Sequence, residues 1–470
     1  MSEQTDVIVL GGGPAGYAAA FKAADLGLTV TLVEKAENPG GVCLYRGCIP
    51  SKALLHVAKL IHEAREAEAC GVSFGEPSID LDKLRQFKDQ VVNKLTGGLG
   101  QLPKARAITY VRGTGVMRSS NDVLVTLADG TESEHRAAHV ILATGSAPVR
   151  IPNVSIDDGR VMDSTGALAL ADIPKSLLVV GGGYIGLEMG SVYAALGSKV
   201  TVVEMTDGLL PGADRDLVAV LEKRIRTQFH EILLSTKVNS VKALKTKLKV
   251  SLEDARSSST QSFDRVLVAV GRRPNTAGIG LENTKVTLNK RGFAEVNGQQ
   301  RTQDAAVFAI GDIAGEPMLA HKGSHEGIVA AEVIAGHTTA FEANAIPGVV
   351  FTDPELAWCG VTEDEANRRG LNTVISRFPW AASGRATTLD RNDGLTKLIV
   401  DAKSERVLGV GICGVGAGEM IAEGVLAVEM AATVSDLKLS IHAHPTLSET
   451  VMEAAELVHG PSTHVFRPAR

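Results

Sequence analysis

The stretch DVIVLGGGPAGYAAAFKAADLGLTVTLVEK, residues 6–35, recurs in kind as SLLVVGGGYIGLEMGSVYAALGSKVTVVEM, residues 176–205. Each copy reads as a buried strand of Val, Ile and Leu, a glycine turn, an Ala-rich helix with a glycine stop, and a second strand ending in Glu. The interval from Gly11 to Glu34 equals that from Gly181 to Glu204. Each glycine has its own physical job. Gly11 and Gly181 permit the tight turn, Gly13 and Gly183 let backbone approach a pyrophosphate, and Gly16 and Gly186 let the helix pack on its strand. Glu34 and Glu204 are placed to accept hydrogen bonds from ribose hydroxyls. A lone glycine loop is weak evidence, but the whole unit occurring twice predicts two dinucleotide sites in an α/β chain.

Beyond the first unit lies GGVCLYRGCIPSK, residues 40–52, with Cys43 and Cys48 separated by four residues. Only five cysteines occur in 470 residues, so the chain is no disulfide-stapled scaffold. One close pair in a reducing compartment reads as catalytic, while Cys70, Cys359 and Cys413 read as ordinary thiols. A dithiol after only one of two dinucleotide sites suggests a tightly held flavin, FAD, at the first and an exchangeable nicotinamide at the second. Glu204 would repel a 2′-phosphate, and Met205, Thr206 and Asp207 supply no basic residue to hold one. NAD is therefore expected over NADP.

The remaining composition narrows the class. With 44% hydrophobic residues the chain can bury large cores and should divide into about three or four domains. A net charge of −6 argues against nucleic acid as a partner. No run approaches the roughly 20 apolar residues of a membrane span, and MSEQTDVIVLGGG enters a strand without a basic leader, so a soluble, cytoplasmic protein is expected.

Other segments mark joins and further chemistry. VILATGSAPVRIP, with Thr144, Gly145 and Ser146, reads as a strand leaving the first unit through a turn and a linker reaching Pro152, and VLVAVGRRPN around Gly271 repeats that pattern. VFAIGDIAG places Asp312 after a strand and a glycine, where a carboxylate either caps a helix or holds a sugar or ribityl hydroxyl. From about Ile346 the pattern changes to strands such as TKLIVDAKSERVLGVGICG and the helix GEMIAEGVLAVEMAA, a separate α+β domain with an apolar face suited to self-association. In IHAHPTLSETVMEAAE, His442 and His444 flank Ala443, and Glu449 is expected on a helix opened by Thr446. That carboxylate could fix the tautomer of His444 and stabilise its imidazolium, making a general base; the plain alternative is a pair of surface histidines capping a helix. A zinc site at the two histidines lacks a third ligand at suitable spacing, and no metal is expected.

Taken in order, GGGPAG, GGVCLYRGCIPSK, LATGS, GGGYIGLE, GRRPN, AIGD and HAHPTLSE resemble the dihydrolipoamide dehydrogenases of the pyridine nucleotide–disulfide oxidoreductase family over essentially the full length. The resemblance implies two Rossmann-like dinucleotide-binding domains, FAD at residues 1–147 and NAD at 148–274. A central domain at 275–345 and a C-terminal α+β dimerisation domain at 346–470 complete a homodimer. It implies that Cys43 is the interchange thiol and Cys48 the charge-transfer thiol beside the flavin. His444 of one subunit, oriented by Glu449, would deprotonate the dithiol served by the other, since thiolate is the attacking species. Electrons would pass from Cys48 to FAD and leave as hydride to NAD. Lys52, one turn after Cys48, would stand by the flavin and pair with Glu188, and Tyr184 would cover the nicotinamide pocket. For FAD the carried-over residues are Glu34, Gly115, Thr144, Gly145, Asp312 and Ala320. For NAD they are the loop of Gly181, Gly183, Tyr184, Ile185, Gly186 and Glu188, with Glu204, Val238 and Gly271.

The chain departs from many relatives in having Tyr45 and Arg46 between the cysteines, where Arg46 either lowers a thiol pKa or points to solvent. The implied partners are the lipoyl domains and the peripheral subunit-binding domain of a 2-oxo acid dehydrogenase acyltransferase, and the glycine cleavage lipoyl carrier. The first strand begins by Asp6, so the lipoyl group is expected to arrive on a partner. Competing readings are a glutathione reductase, which normally selects NADP, and a mercuric reductase, which usually adds a cysteine pair absent from VHGPSTHVFRPAR. A flavin transhydrogenase lacks the full redox pair. A part played mainly as scaffold sits badly with the retention of every catalytic group.

Overall fold

A computed structural model describes residues 4–466; the first three residues and the last four of VHGPSTHVFRPAR lie outside it. Residues 6–35 fold as the strand Gln4–Leu10, the helix Pro14–Asp25 and the strand Val30–Glu34. The first strand runs parallel to Val30–Glu34 on one side and to Glu132–Leu142 on the other. Its central residues, Val7, Ile8 and Val9, are fully buried, as a parallel strand covered on both faces requires.

The chain returns to this unit after the second repeat. Val307–Ala309 extends the sheet beside Glu132–Leu142, and the helix Ala320–Ile334 lies along Pro14–Asp25. Small residues make that approach possible. A Cβ on Gly327 would stand 2.5 Å from Ala15 O and 3.2 Å from the Ala19 methyl, and one on Gly323 3.0 Å from the Ala15 methyl. Much of the segment 275–345, expected as a central domain, is thus built into the first unit, because the sheet edge at Glu132–Leu142 needs a partner strand.

The second repeat gives the strand Ser176–Val180, the helix Tyr184–Ala195 and the strand Lys199–Val203 within a five-stranded parallel sheet. The expected linker forms a short ribbon instead, with Ser146–Pro148 pairing antiparallel with Arg272–Pro274. The C-terminal unit is a five-stranded antiparallel sheet flanked by the helices Ala417–Glu429, Val434–Leu439 and Glu449–Glu456. A buried ion cluster ties it to the second unit. Lys397, 1% exposed, places Nζ 2.9 Å from Asp214, 3.0 Å from Asp216 and 2.5 Å from Glu363, so these three carboxylates surround an ammonium. Among the described residues no helix is long and apolar enough to cross a membrane.

Candidate active site

The first repeat opens a cleft at the carboxyl ends of its strands. Gly11 has φ +108°, and a Cβ there would lie 2.2 Å from Ala143 O; a Cβ on Gly16 would lie 1.8 Å from Gly11 O. Nothing but glycine fits either position. At Gly13 the nearest neighbour of such a Cβ is Gly41 Cα at 3.9 Å, and at Gly183 of the second loop there is nothing within 4 Å. Both loops therefore leave open backbone at the start of a 12-residue helix, the arrangement that accepts a pyrophosphate. The acids repeat the symmetry. Glu34 Oε2 accepts from Gly12 N at 2.8 Å and Glu204 Oε2 from Gly182 N at 2.7 Å, so each carboxylate is fixed at its loop.

The dithiol stands on the wall of the first cleft. Cys43 lies within the short helix Gly41–Arg46, and Cys48 is the first residue of the 19-residue helix Cys48–Glu66. Both thiols are free. The hydrogen bond from the Cys43 thiol, assisted by the Lys52 ammonium, brings Cys48 down to about 7 against the opposing burial and the Glu188 charge. The same hydrogen bond, with burial, holds the proton on Cys43 far above the usual thiol range. These surroundings favour Cys48 as the site of the thiolate. Lys52 follows one turn later and reaches Glu188, which is 3% exposed and also accepts from Phe351 N at 3.0 Å. Its Nζ lies 4.5 Å from the centre of the Phe351 ring. Burial pushes the Tyr184 phenol up to about 12, so it stays protonated at the cleft mouth.

The far wall is a polar relay. Ser146 Oγ donates to Asp312, and Arg272 donates from Nε to Ser146 Oγ and from Nη2 to Ser146 O, each at 2.7 Å. Thr144 Oγ1 donates to Asn275 O at 2.8 Å, and Ala320 begins the helix that closes this end. Arg272, Asn275 and Phe351 were not singled out from the sequence; the first two stand in the repeated GRRPN turn that carried the signal. The cleft also takes in Gly145, Ile185 and Arg46. Gly271, with φ +123°, turns the chain at the ribbon.

Gly115, Val238, His444 and Glu449, all expected in the site, stand apart from this cleft. Gly115 sits inside the strand Thr109–Met117 with Leu10 against it, and Val238 is buried in the core of the second unit. His444 lies on the C-terminal unit with its side chain 71% exposed. Its Nδ1 bonds Glu449 Oε1 at 2.9 Å, while Glu449 Oε2 accepts from Thr446 N at 2.8 Å. Burial raises the Glu449 carboxyl, but the Thr446 N–H and the imidazole outweigh it and hold the group below its ordinary range. Glu449 opens the helix Glu449–Glu456, three residues later than the helix start expected at Thr446.

Residues 5–327 match the family model described as pyridine nucleotide-disulphide oxidoreductase, and residues 346–455 match the dimerisation domain of that family. The chain is 49% identical over 460 residues to the dihydrolipoyl dehydrogenase of Haemophilus influenzae, covering 98% of this chain and 96% of the relative. It is 43% identical to that of Geobacillus stearothermophilus, with 98% of both chains covered. Among solved structures, LpdA from Mycobacterium tuberculosis superposes with a TM-score of 0.88 at 27% identity, covering 96% of this chain and 99% of that one. The HOCl-induced flavoprotein disulfide reductase RclA from Escherichia coli gives 0.86 at 28%, covering 97% and 100%. With its two dinucleotide loops, its dithiol and its C-terminal unit all in the family's order, the chain belongs to the pyridine nucleotide–disulphide oxidoreductases, within the dihydrolipoyl dehydrogenase branch that uses FAD and NAD.

Proposed function

We propose that the chain oxidises protein-bound dihydrolipoamide to lipoamide and reduces NAD to NADH, working as a homodimer in the cytoplasm. The carrying observation is a division of parts. The cleft holds a thiol, Cys43, whose proton is firmly bound, and among the described residues no histidine lines that cleft. The C-terminal unit holds an exposed His444–Glu449 pair, and its own cysteines, Cys359 and Cys413, are buried. A second copy supplies what the first lacks, and the apolar residues left exposed on and after the helix Ala417–Glu429, namely Leu426, Met430, Leu439 and Ile441, give the copies a surface to share.

In the working cycle Cys43 and Cys48 begin as a disulfide. His444 of the partner subunit takes a proton from the substrate dithiol, whose thiolate attacks Cys43 and displaces Cys48 as thiolate. The second substrate thiol then closes the lipoyl disulfide and releases Cys43, which takes up a proton. Two electrons now reside on the enzyme dithiol, and Lys52 holds Cys48 as thiolate. FAD bound in the cleft supplies the two-electron relay between that dithiol and NAD. Gly11, Gly13 and Gly16 would hold its diphosphate, Glu34 its ribose, and Asp312 its ribityl chain. Gly181, Gly183, Gly186 and Glu204 would hold NAD, with Gly271 at the edge of the pocket.

The substrate arm comes from lipoyl domains of 2-oxo acid dehydrogenase complexes and of the glycine cleavage system, with docking on the acyltransferase's peripheral subunit-binding domain. Complementation tests the shared site. Cys43→Ser and His444→Gln chains are each inactive as homodimers, and a mixed dimer should regain about half of the wild-type rate, because one of its two sites is whole. A mixed dimer as inactive as its parents would refute a base supplied from the second subunit.

A further inference from the structure

Arg46 ends the helix Gly41–Arg46 and lines the FAD cleft together with Gly13, Gly41 and Cys48. Its Nε is buried and has no hydrogen-bond partner. Folded proteins seldom leave a buried donor unmatched, and a charged one least of all. The other cations of the cleft are already engaged or face solvent: Lys52 is bound to Glu188, Arg272 to Ser146, and Lys35 is exposed.

The direction of the side chain follows from where its helix starts. Gly40 N donates to Gly12 O at 2.7 Å, and a Cβ on Gly41 would fall 2.6 Å from Gly13 Cα, so this helix begins against the open backbone of the first glycine loop. Helical side chains lean towards the N-terminus of their helix. A lean of that sense points Arg46 along the wall that Val42, one turn before it, shares with Gly41 and Gly13. That loop offers N–H groups and the start of a helix, but no cation. A diphosphate brings two negative charges and acceptor oxygens that a guanidinium can engage in pairs.

We propose that Arg46 is a cofactor-binding residue of this chain, its guanidinium bonding the diphosphate of FAD. The sequence offered a solvent-facing residue or a charge acting on the thiols, and the Arg46 side chain is half-buried with its Nε out of reach of solvent. The cation acting on both thiols is Lys52.

The inference rests on the cleft being the FAD site, and binding to apoprotein separates the two claims. Wild-type protein stripped of its flavin is titrated with FAD and, separately, with ADP, which carries the diphosphate without a flavin. If wild-type apoprotein takes up no FAD, the site reading itself fails. Given wild-type uptake, Arg46→Ala should weaken FAD by about ten- to hundredfold and ADP by a similar factor, the range for one charge-assisted contact. Arg46→Lys should fall between. Arg46→Gln keeps the stem and carries the same test should the alanine variant lose its fold, which circular dichroism of the apoprotein reports. Unchanged FAD and ADP affinity would overturn the proposal. So would a loss for FAD alone, which would put the contact at the flavin, or unchanged affinity with a raised midpoint for the thiolate-to-flavin band.

Discussion

Lys52 Nζ lies 2.9 Å from one carboxylate oxygen of Glu188 and 3.1 Å from the other, joining the helix that begins at Cys48 to the helix of the second glycine loop. Phe351 N of the C-terminal unit donates to the same carboxylate, so one buried charge holds three units together beside the dithiol. The Cys43 hydrogen bond does most to lower the Cys48 thiol against burial, and the pair adds to this from both sides, Lys52 lowering it and Glu188 raising it. In the FAD-loaded, two-electron-reduced wild type, the thiolate-to-flavin band should grow as pH rises through about 7 and fade below it. Lys52→Met should move that midpoint up by about one unit or more, since an opposite charge nearby favours the ionised form by that much. Absorbance against pH checks it, and an unmoved midpoint would contradict the role given to Lys52.

The same substitution leaves Glu188 buried with only the Phe351 N–H. Breaking a fully buried pair costs about 3–5 kcal/mol, but Lys52 is one-third exposed, so we expect nearer 2 kcal/mol. Lys52→Met with Glu188→Gln should recover part of that loss. Thermal unfolding of the two variants measures it.

His444→Gln should lower dihydrolipoamide oxidation by about 10²–10⁴-fold, the span of a general base, and Glu449→Gln by less. Because Glu449 is held below the ordinary carboxylate range, its ionised pairing with His444 persists as pH falls and is lost only beneath that range. Glu449→Gln, which removes that ionised partner, should therefore change the acid limb of the activity profile. A pH profile identical to wild type would remove Glu449 from the base.

The two glycine loops allow a separation of function. A Cβ on Gly186 would lie 2.2 Å from Gly181 O, and one on Gly16 would lie 1.8 Å from Gly11 O. Gly16→Ala should yield protein without bound flavin, whereas Gly186→Ala should keep flavin and its reduction by dihydrolipoamide while losing reduction of NAD. Flavin content and single-turnover spectra distinguish the two. Loss of flavin in both would mean that the repeats do not serve separate cofactors.

Glu204 stands at the second glycine loop, where its charge would oppose a 2′-phosphate. Glu204→Ala removes the charge opposing a 2′-phosphate and frees Gly182 N and Thr206, so the ratio of kcat/KM for NAD over NADP should fall by roughly tenfold or more, with stability down by about 1 kcal/mol. An unchanged ratio would place discrimination elsewhere.

What the sequence could carry is clearest in its repeat. Glycine positions, strand ends and acids follow from local rules, so Gly11 to Glu34 and Gly181 to Glu204 were legible residue by residue. The returning strand Val307–Ala309 was less so, because a three-residue strand earns its place only by pairing with Glu132–Leu142, far away in sequence. Phe351 carries no motif at all; it matters through its N–H and its ring face, which only the packed chain brings to Glu188 and Lys52. Arg46 was visible as a departure but not as a cleft residue, since its direction depends on where a six-residue helix meets Gly13.

The most direct test of the whole account is an anaerobic titration of the purified protein with dihydrolipoamide, followed by NAD or, separately, NADP, watched by visible absorption. The expected result is a long-wavelength thiolate-to-flavin band that forms with dihydrolipoamide and collapses on adding NAD but not NADP. A flavin spectrum indifferent to dihydrolipoamide would contradict the proposed activity and move the chain to another disulfide reductase.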